Sequence, residues 1–226
     1  MKRVGVVLAV MAAVALAIAI GCGAEAPVAA PQEVALPAPV TKGTMSLEEA
    51  LSRRRSVRSY QSKPLTEQQL GQLCWAAQGI TDPATGHRTA PSAIAKYPLT
   101  VYVFTSDGLY SYEPKGHKLI LHQAGDQRAR LAEAARGQRG IQQAPVDFVF
   151  TGDPSVFGDR FTGLANEFVY LETGHAAQNL ALEATALGLG TVTMGGIDPA
   201  AVAKVLDLPA GRLVMYVMPV GYPAAD

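Results

Sequence analysis

The chain has 226 residues, enough for one domain with a full core and short for two. It is 49% hydrophobic and 17% charged, the profile of a globular protein with an apolar segment added. Its 19 Lys plus Arg balance 19 Asp plus Glu, so no global field directs it to nucleic acid or to acidic partners, and any cationic chemistry has to be local.

Lys2 and Arg3 precede an apolar run from Val4 to Ile20, which closes on Ala19-Ile20-Gly21-Cys22. This is the layout of a secretory signal peptide, and small residues just before a cysteine resemble the bacterial lipoprotein processing site. Residues 1–21 therefore read as a lipoprotein signal peptide and Cys22 as the lipidated residue. The expected location is the cell envelope, lipid-anchored on the periplasmic or extracytoplasmic face. Cleavage at Ala24-Glu25-Ala26, an A-x-A site followed by Pro27, and an uncleaved anchor are the alternatives. Residues 22–44, rich in Ala, Pro and Val, read as a semi-extended tether, with the folded domain at 45–226.

The remaining cysteine, Cys74, has no partner once Cys22 is lipidated, so no disulfide framework is expected. It lies in Leu70-x-x-Leu73-Cys74-x-x-Ala77, one face of a helix, and reads as a buried small hydrophobe. Ser46-Leu47-Glu48-Glu49 is a capping box opening a first helix, with Leu47, Ala50 and Leu51 starting its apolar stripe. Thr66-Glu67-Gln68-Gln69 opens a second, with Leu65 and Leu70 as a hydrophobic staple and Gly79 as its stop. Leu99 to Thr105 reads as a buried strand, and Gly108–Tyr112 with Lys118–His122 as a hairpin. A charged helix follows over 126–136, a strand over 146–151, and the longest helix over 164–187, stopped by Gly188. A strand at 190–194, a short helix capped by Asp198-Pro199 and a last strand at 212–220 complete the chain. Helices interspersed with strands and one hairpin indicate an α+β domain around a central sheet.

Several familiar chemistries are excluded. His87, His117, His122 and His175 lack Cys, His, Asp or Glu at metal-ligand spacing, and there is neither a G-x-S-x-G nor a Walker A sequence. Gly188-Leu189-Gly190 lacks the third glycine of a dinucleotide fingerprint and runs into a strand. The strongest local signal is Arg53-Arg54-Arg55-Ser56-Val57-Arg58. If the chain is extended there, Arg54, Ser56 and Arg58 share one face, and two guanidinium forks around a hydroxyl suit a phosphate. The competing reading is a set of solvated cations at a helix C-terminus. Tyr102, Phe104, Phe148 and Phe150 alternate along strands and read as sheet packing, and Arg128, Arg130, Arg136 and Arg139 as a solvated face. Trp75 either lines a pocket or fills the core.

Arg54-Arg55-Ser56-Val57-Arg58-Ser59-Tyr60, shortly after a capping box, resembles the opening motif of the nitroreductase family. Ala90-Pro91-Ser92-Ala93 with Tyr97-Pro98, Gly174 to Leu180 with Ala186-Leu187-Gly188-Leu189-Gly190, and Met194-Gly195-Gly196-Ile197-Asp198-Pro199 follow in that family's order. The likeness spans about Leu47 to Pro223 and is greatest to the branch with SagB-type and McbC-type dehydrogenases. It implies a three-layer fold with a mostly antiparallel sheet and FMN at a homodimer interface, moving hydride through flavin N5 for a small-molecule or peptide substrate. Arg54, Arg55, Ser56 and Arg58 would hold the phosphate and ribityl chain. Pro91, Ser92 and Ala93 would contact the flavin of the other subunit, Gly195 and Gly196 its N5 edge, and Gln138 the ring. Lys96-Tyr97 matches a pair on which azoline-oxidising members depend, and would act in proton transfer beside the flavin. The chain departs from the family at Ala93 and Ala95, often polar there, and at Ala224-Ala225-Asp226, where a basic phosphate ligand often stands. A flavin-free binding or accessory lipoprotein on the same scaffold is the competing class.

Overall fold

The computed structural model describes residues 32–161 and 163–224. The stretch read as a signal peptide, Cys22 and the first part of the tether lie outside the described residues. Seven strands form one sheet: β1 (Glu33–Ala35), β4 (Leu99–Phe104), β5 (Gly108–Glu113), β6 (Lys118–Ala124), β7 (Val146–Gly152), β8 (Gly190–Thr191) and β9 (Leu213–Gly221), in the order β1-β6-β5-β4-β7-β9-β8. Every pairing between these strands is antiparallel. A small ribbon pairs β2 (Ile80–Asp82) with β3 (His87–Arg88).

Strand alternation builds a core on each face of the sheet. Val101 and Val103 of β4, Phe148 and Phe150 of β7, and Met218 and Val220 of β9 face α2 (Glu67–Gln78) and α5 (Ala165–Ala186). Tyr102, Phe104, Val149, Val214 and Val217 face α3 (Arg128–Ala134) and α6 (Pro199–Val205). The fold is therefore three-layered, helices on both sides of the sheet, and the strand aromatics pack as their alternation predicts. Cys74 is fully buried, and burial pushes its thiol up, away from nucleophilic reactivity.

Local signals set most element boundaries. Thr66 and Gln69 form the full reciprocal capping box of α2, and Asp198 accepts from the backbone of Ala200 and Ala201 to start α6. At α1 (Leu47–Arg53) only half of the box forms: Ser46 accepts from Glu49 N–H, while the Glu49 carboxylate turns to Arg53 at 2.6 Å. The apolar stripe expected on α1 also differs. Ala50 is buried, but Leu47 and Leu51 are 61% and 52% exposed. The charged helix is shorter than expected because Asp126 accepts from Arg128 N–H at its start, while Arg136 and Gly137 turn left-handed after its end. Arg128 is not simply solvated: it pairs with Asp126 at 2.6 Å and donates to the Ala144 and Pro145 carbonyls.

The segment read as a tether enters the fold in its second half. Strand β1 pairs with β6 in the register Val34 opposite Leu119, so the sheet begins well before Met45. Beyond it, His117 Nε2 meets the Pro37 carbonyl at 3.0 Å, and Gln72 closes two hydrogen bonds on the Val40 backbone.

Candidate functional site

The arginine segment leaves α1 at Arg54, whose backbone is already extended (φ −52°, ψ 123°). Arg55 turns back to donate to the Ser52 and Arg54 carbonyls, so it caps the helix end. Ser56 forms a parallel bridge with Thr191 of β8, fixed by Val57 N–H donating to the Thr191 carbonyl at 2.9 Å. Past Arg58 the chain runs against the C-terminal segment. Gln61 N–H donates to Tyr222, Ala224 N–H donates to Ser59, and Tyr60 bridges Pro223. Residues 54–61 thus form an extra edge laid over β8 and the chain end. The side chains of Arg54 and Arg58 make no hydrogen bond or ion pair among the described residues, and Ser56 is exposed.

A second strand of chain closes on this edge. After β8 the expected strand breaks off and returns only as an isolated Met194–Val217 bridge, which leaves Gly195 and Gly196 as a free loop. Gln138, the N-cap of α4 (Arg139–Gln143), donates through Nε2 to the Gly196 carbonyl at 3.4 Å. A Cβ on Gly140 would stand 3.2 Å from the Arg58 carbonyl and 3.3 Å from Met194 Cε, so α4, the arginine edge and the Met194 loop meet closely here and a larger residue would press on them. At Gly196 the space a Cβ would enter is open, whereas at Gly195 it would meet the Tyr216 ring at 3.3 Å. The backbone of Arg58 and the Met194 loop thus approach α4 beside β8, where Gln138 meets Gly196, while Arg54 and Ser56 lie earlier on the same extended edge.

Pro91, Ser92, Ala93, Lys96 and Tyr97 form a separate group held on α2 and α5. Ile94, Ala95 and Tyr97 all have positive φ (45°, 54° and 49°), a conformation that costs a non-glycine residue about 1–2 kcal/mol. Such strain persists only where surrounding contacts over-determine it. Tyr97 N–H donates to Ser92 Oγ at 2.7 Å, and the Tyr97 hydroxyl accepts from Arg88 N–H. Tyr97 is thus anchored inward, while Lys96 and Ile94 face outward.

Sequence reasoning missed the polar side chains beneath this turn. Glu172 on α5 and Gln78 at the end of α2 are buried, and Arg88 donates to Gln78. Burial pushes the Glu172 carboxyl up, against the opposing effects of Ser92, Gln78 and the Arg88 charge. Asp147 of β7 was missed too. Both of its carboxylate oxygens are buried without a hydrogen-bond partner among the described residues, and burial raises its pKa despite nearby Arg128. Polar residues recurring at core-facing positions were the available signal for each. A cavity of about 550 Å³ lies elsewhere, between the 40–47 segment, α2 and α5, and Trp75 lines it. None of the expected site residues borders it.

An all-antiparallel sheet between two helical layers, with an unpaired cationic edge beside a glycine loop, defines a class of three-layer α+β proteins. Comparison with known proteins makes this specific: the nitroreductase family matches residues 51–222, and the chain belongs to that family of oxidoreductases. A protein of Methanocaldococcus jannaschii named as a nitroreductase is 38% identical over 187 residues, covering 78% of this chain and 91% of its own. The FMN reductase [NAD(P)H] of Bacillus subtilis is 28% identical, covering 77% of this chain and 65% of its own. A crystal structure from Ralstonia eutropha JMP134, described as a nitroreductase, superposes with a TM-score of 0.79 at 32% identity. It covers 86% of this chain and 90% of that one.

Proposed function

We propose that the protein is an FMN-dependent oxidoreductase that works as a homodimer in the bacterial cell envelope. The observation that carries this reading is the extended arginine edge beside the glycine loop. The side chains of Arg54 and Arg58 make no hydrogen bond or ion pair among the described residues, Ser56 between them is exposed, and the space over Gly196 is open. Two forked donors around a hydroxyl suit a phosphate dianion, and a backbone free of side chains suits the close approach of a flat ring. FMN would supply two-electron chemistry, with hydride entering and leaving at N5.

This chain's own residues do the rest. Arg54 and Arg58 hold the phosphate, Arg55 fixes the helix end behind it, and Ser56 donates to the ribityl side. Gln138, oriented by its bond to Gly196, supplies a polar contact at the ring edge. Pro91, Ser92 and Ala93 serve the site of the other subunit. Support for the dimer comes from the large apolar side chains left exposed on α1 and α5, namely Leu47, Leu51, Tyr170 and Leu171, together with Ile94. The name of the Bacillus subtilis relative supports FMN as the cofactor.

Within the SagB- and McbC-type branch, Lys96 is the residue placed to exchange a proton with a substrate lying over the ring, since it is exposed on the strained turn. Lys96→Ala should then slow a dehydrogenation assay while sparing reduction by a generic donor. Equal rates for variant and wild type in both assays would remove Lys96 from the chemistry.

The test of the main reading is to purify the protein, denature it and identify the released small molecule. FMN is expected. A colourless protein that takes up no added FMN would leave a flavin-free accessory protein in its place.

A further inference from the structure

Beneath the Ser92–Tyr97 turn a chain of polar contacts runs from Glu172 through Gln78 and Arg88 to Tyr97 and Ser92. Glu172 and Gln78 are 2% and 1% exposed. Gln78 Nε2 donates to Glu172 Oε1 at 3.3 Å, and Arg88 Nη1 donates to Gln78 Oε1 at 2.9 Å. The Arg88 guanidinium lies over the Tyr97 ring, 4.6 Å from its centre, and Arg88 N–H donates to the Tyr97 hydroxyl at 3.3 Å. Tyr97 N–H donates to Ser92 Oγ, and the Ser92 hydroxyl in turn favours the ionised Glu172 carboxyl. Ile94, Ala95 and Tyr97, all left-handed, fall within the turn that these contacts support.

We propose that Glu172 is a positioning residue that holds the Ser92–Tyr97 turn in its left-handed conformation. It acts through Ser92 at one end of the turn and through Gln78, Arg88 and Tyr97 at the other. The inference rests on the flavin reading for its functional meaning, because Pro91, Ser92 and Ala93 are the residues that would meet the ring. A carboxylate is a costly choice for this place: apart from Thr173, the other residues that α5 buries are apolar, and an apolar side chain would fill the site without desolvating a charge. A buried chain of polar contacts instead gives its members directional partners that fix one conformation. The second oxygen of Glu172, Oε2, is buried with no hydrogen-bond partner among the described residues, so the carboxylate is not placed for its own solvation. Truncating it would leave the Gln78 amide unpaired in the interior and the turn without its base.

The test uses the full-length protein with Glu172→Ala and Glu172→Gln. Gln can still accept from Gln78 and can donate to Ser92. Two readouts follow the turn itself: the rate of tryptic cleavage after Lys96, which is exposed within it, and the affinity and visible spectrum of bound FMN. Glu172→Ala should speed cleavage after Lys96 and weaken FMN about tenfold or more, with an altered flavin spectrum, whereas Glu172→Gln should stay within about threefold of wild type. Wild-type cleavage and FMN affinity in Glu172→Ala would overturn the proposal. So would a lower melting temperature with both readouts unchanged, since that is the mark of a purely structural residue. If Glu172→Ala fails to fold, Arg88→Ala breaks the same chain of contacts from its half-buried side, with the same outcomes expected and the same ones decisive. A wild-type protein that takes no FMN would sink the flavin reading, while the proteolysis comparison would still decide whether Glu172 holds the turn.

Discussion

Replacing Gly190 with alanine would press on the contact that seats the arginine edge. A Cβ there would lie 2.6 Å from Val57 Cβ, 2.7 Å from Cγ2 and 2.8 Å from Cγ1. The sheet has little room to retreat, because Gly190 pairs with Gly221, where an added Cβ would itself stand 2.7 Å from Pro145. The edge must therefore move, straining the Val57 N–H bond to Thr191. Overpacking of this kind costs about 1–3 kcal/mol. In a domain of this size each kcal/mol shifts Tm by roughly 2–4 °C, so a fall of about 2–12 °C is expected in a thermal melt. FMN titration should show affinity lowered about tenfold or more, because Arg54 and Arg58 flank the displaced residue. Val57→Gly in the same background removes all three contacts at a backbone cost of about 0.5–1 kcal/mol. The double variant should therefore bind FMN better than Gly190→Ala alone, a coupling that a double-mutant cycle measures. If Gly190→Ala melts and binds FMN like wild type, Val57 is not seated on β8 and the arginine edge is held differently.

Arg54→Ala should leave a folded protein whose FMN affinity drops by about 1.5–3 kcal/mol, or one to two decades, in a fluorescence titration; wild-type affinity would place the phosphate elsewhere. Asp147, whose folded-state pKa is raised by burial, favours the folded state fully only below its unfolded pKa of about 3.9, and that contribution is lost as pH rises through the higher folded value. Denaturant unfolding of Asp147→Asn from pH 4 to 8 should accordingly show a flatter decline of stability with pH than wild type, and parallel curves would contradict the assignment. Cys22→Ser should abolish lipid labelling and membrane pelleting of the mature protein, and unchanged labelling would refute the lipid anchor.

The legible part of the sequence was that governed by local chemistry. Thr66 with Gln69, Asp198 with Pro199, and the continuous apolar run from Leu99 to Thr105 each specify an element within a few residues, and each element forms, the strand over Leu99–Phe104. Strand β1 was not legible, because a three-residue edge in an Ala- and Pro-rich stretch is defined by its pairing with β6 and not by its own pattern. Leu47 and Leu51 misled for a related reason: helical spacing identifies an apolar face without saying what covers it. The candidate site was legible in parts. Arg54, Ser56 and Arg58 share a face that suits an anion or a set of solvated cations, but the contact of Gln138 with Gly196 depends on how α4 and the chain after β8 are brought together. Glu172, Gln78 and Arg88 were silent because separate polar residues on two helices and a ribbon become one chain of contacts only after the turn at Ile94 brings Tyr97 and Ser92 over them.

The most direct test is an anaerobic half-reaction on the purified wild-type protein. Reduction by a hydride donor should bleach the flavin absorption at one FMN per chain, and an added electron acceptor should restore it in full. A protein that binds no FMN, or binds it but does not cycle, would contradict the account.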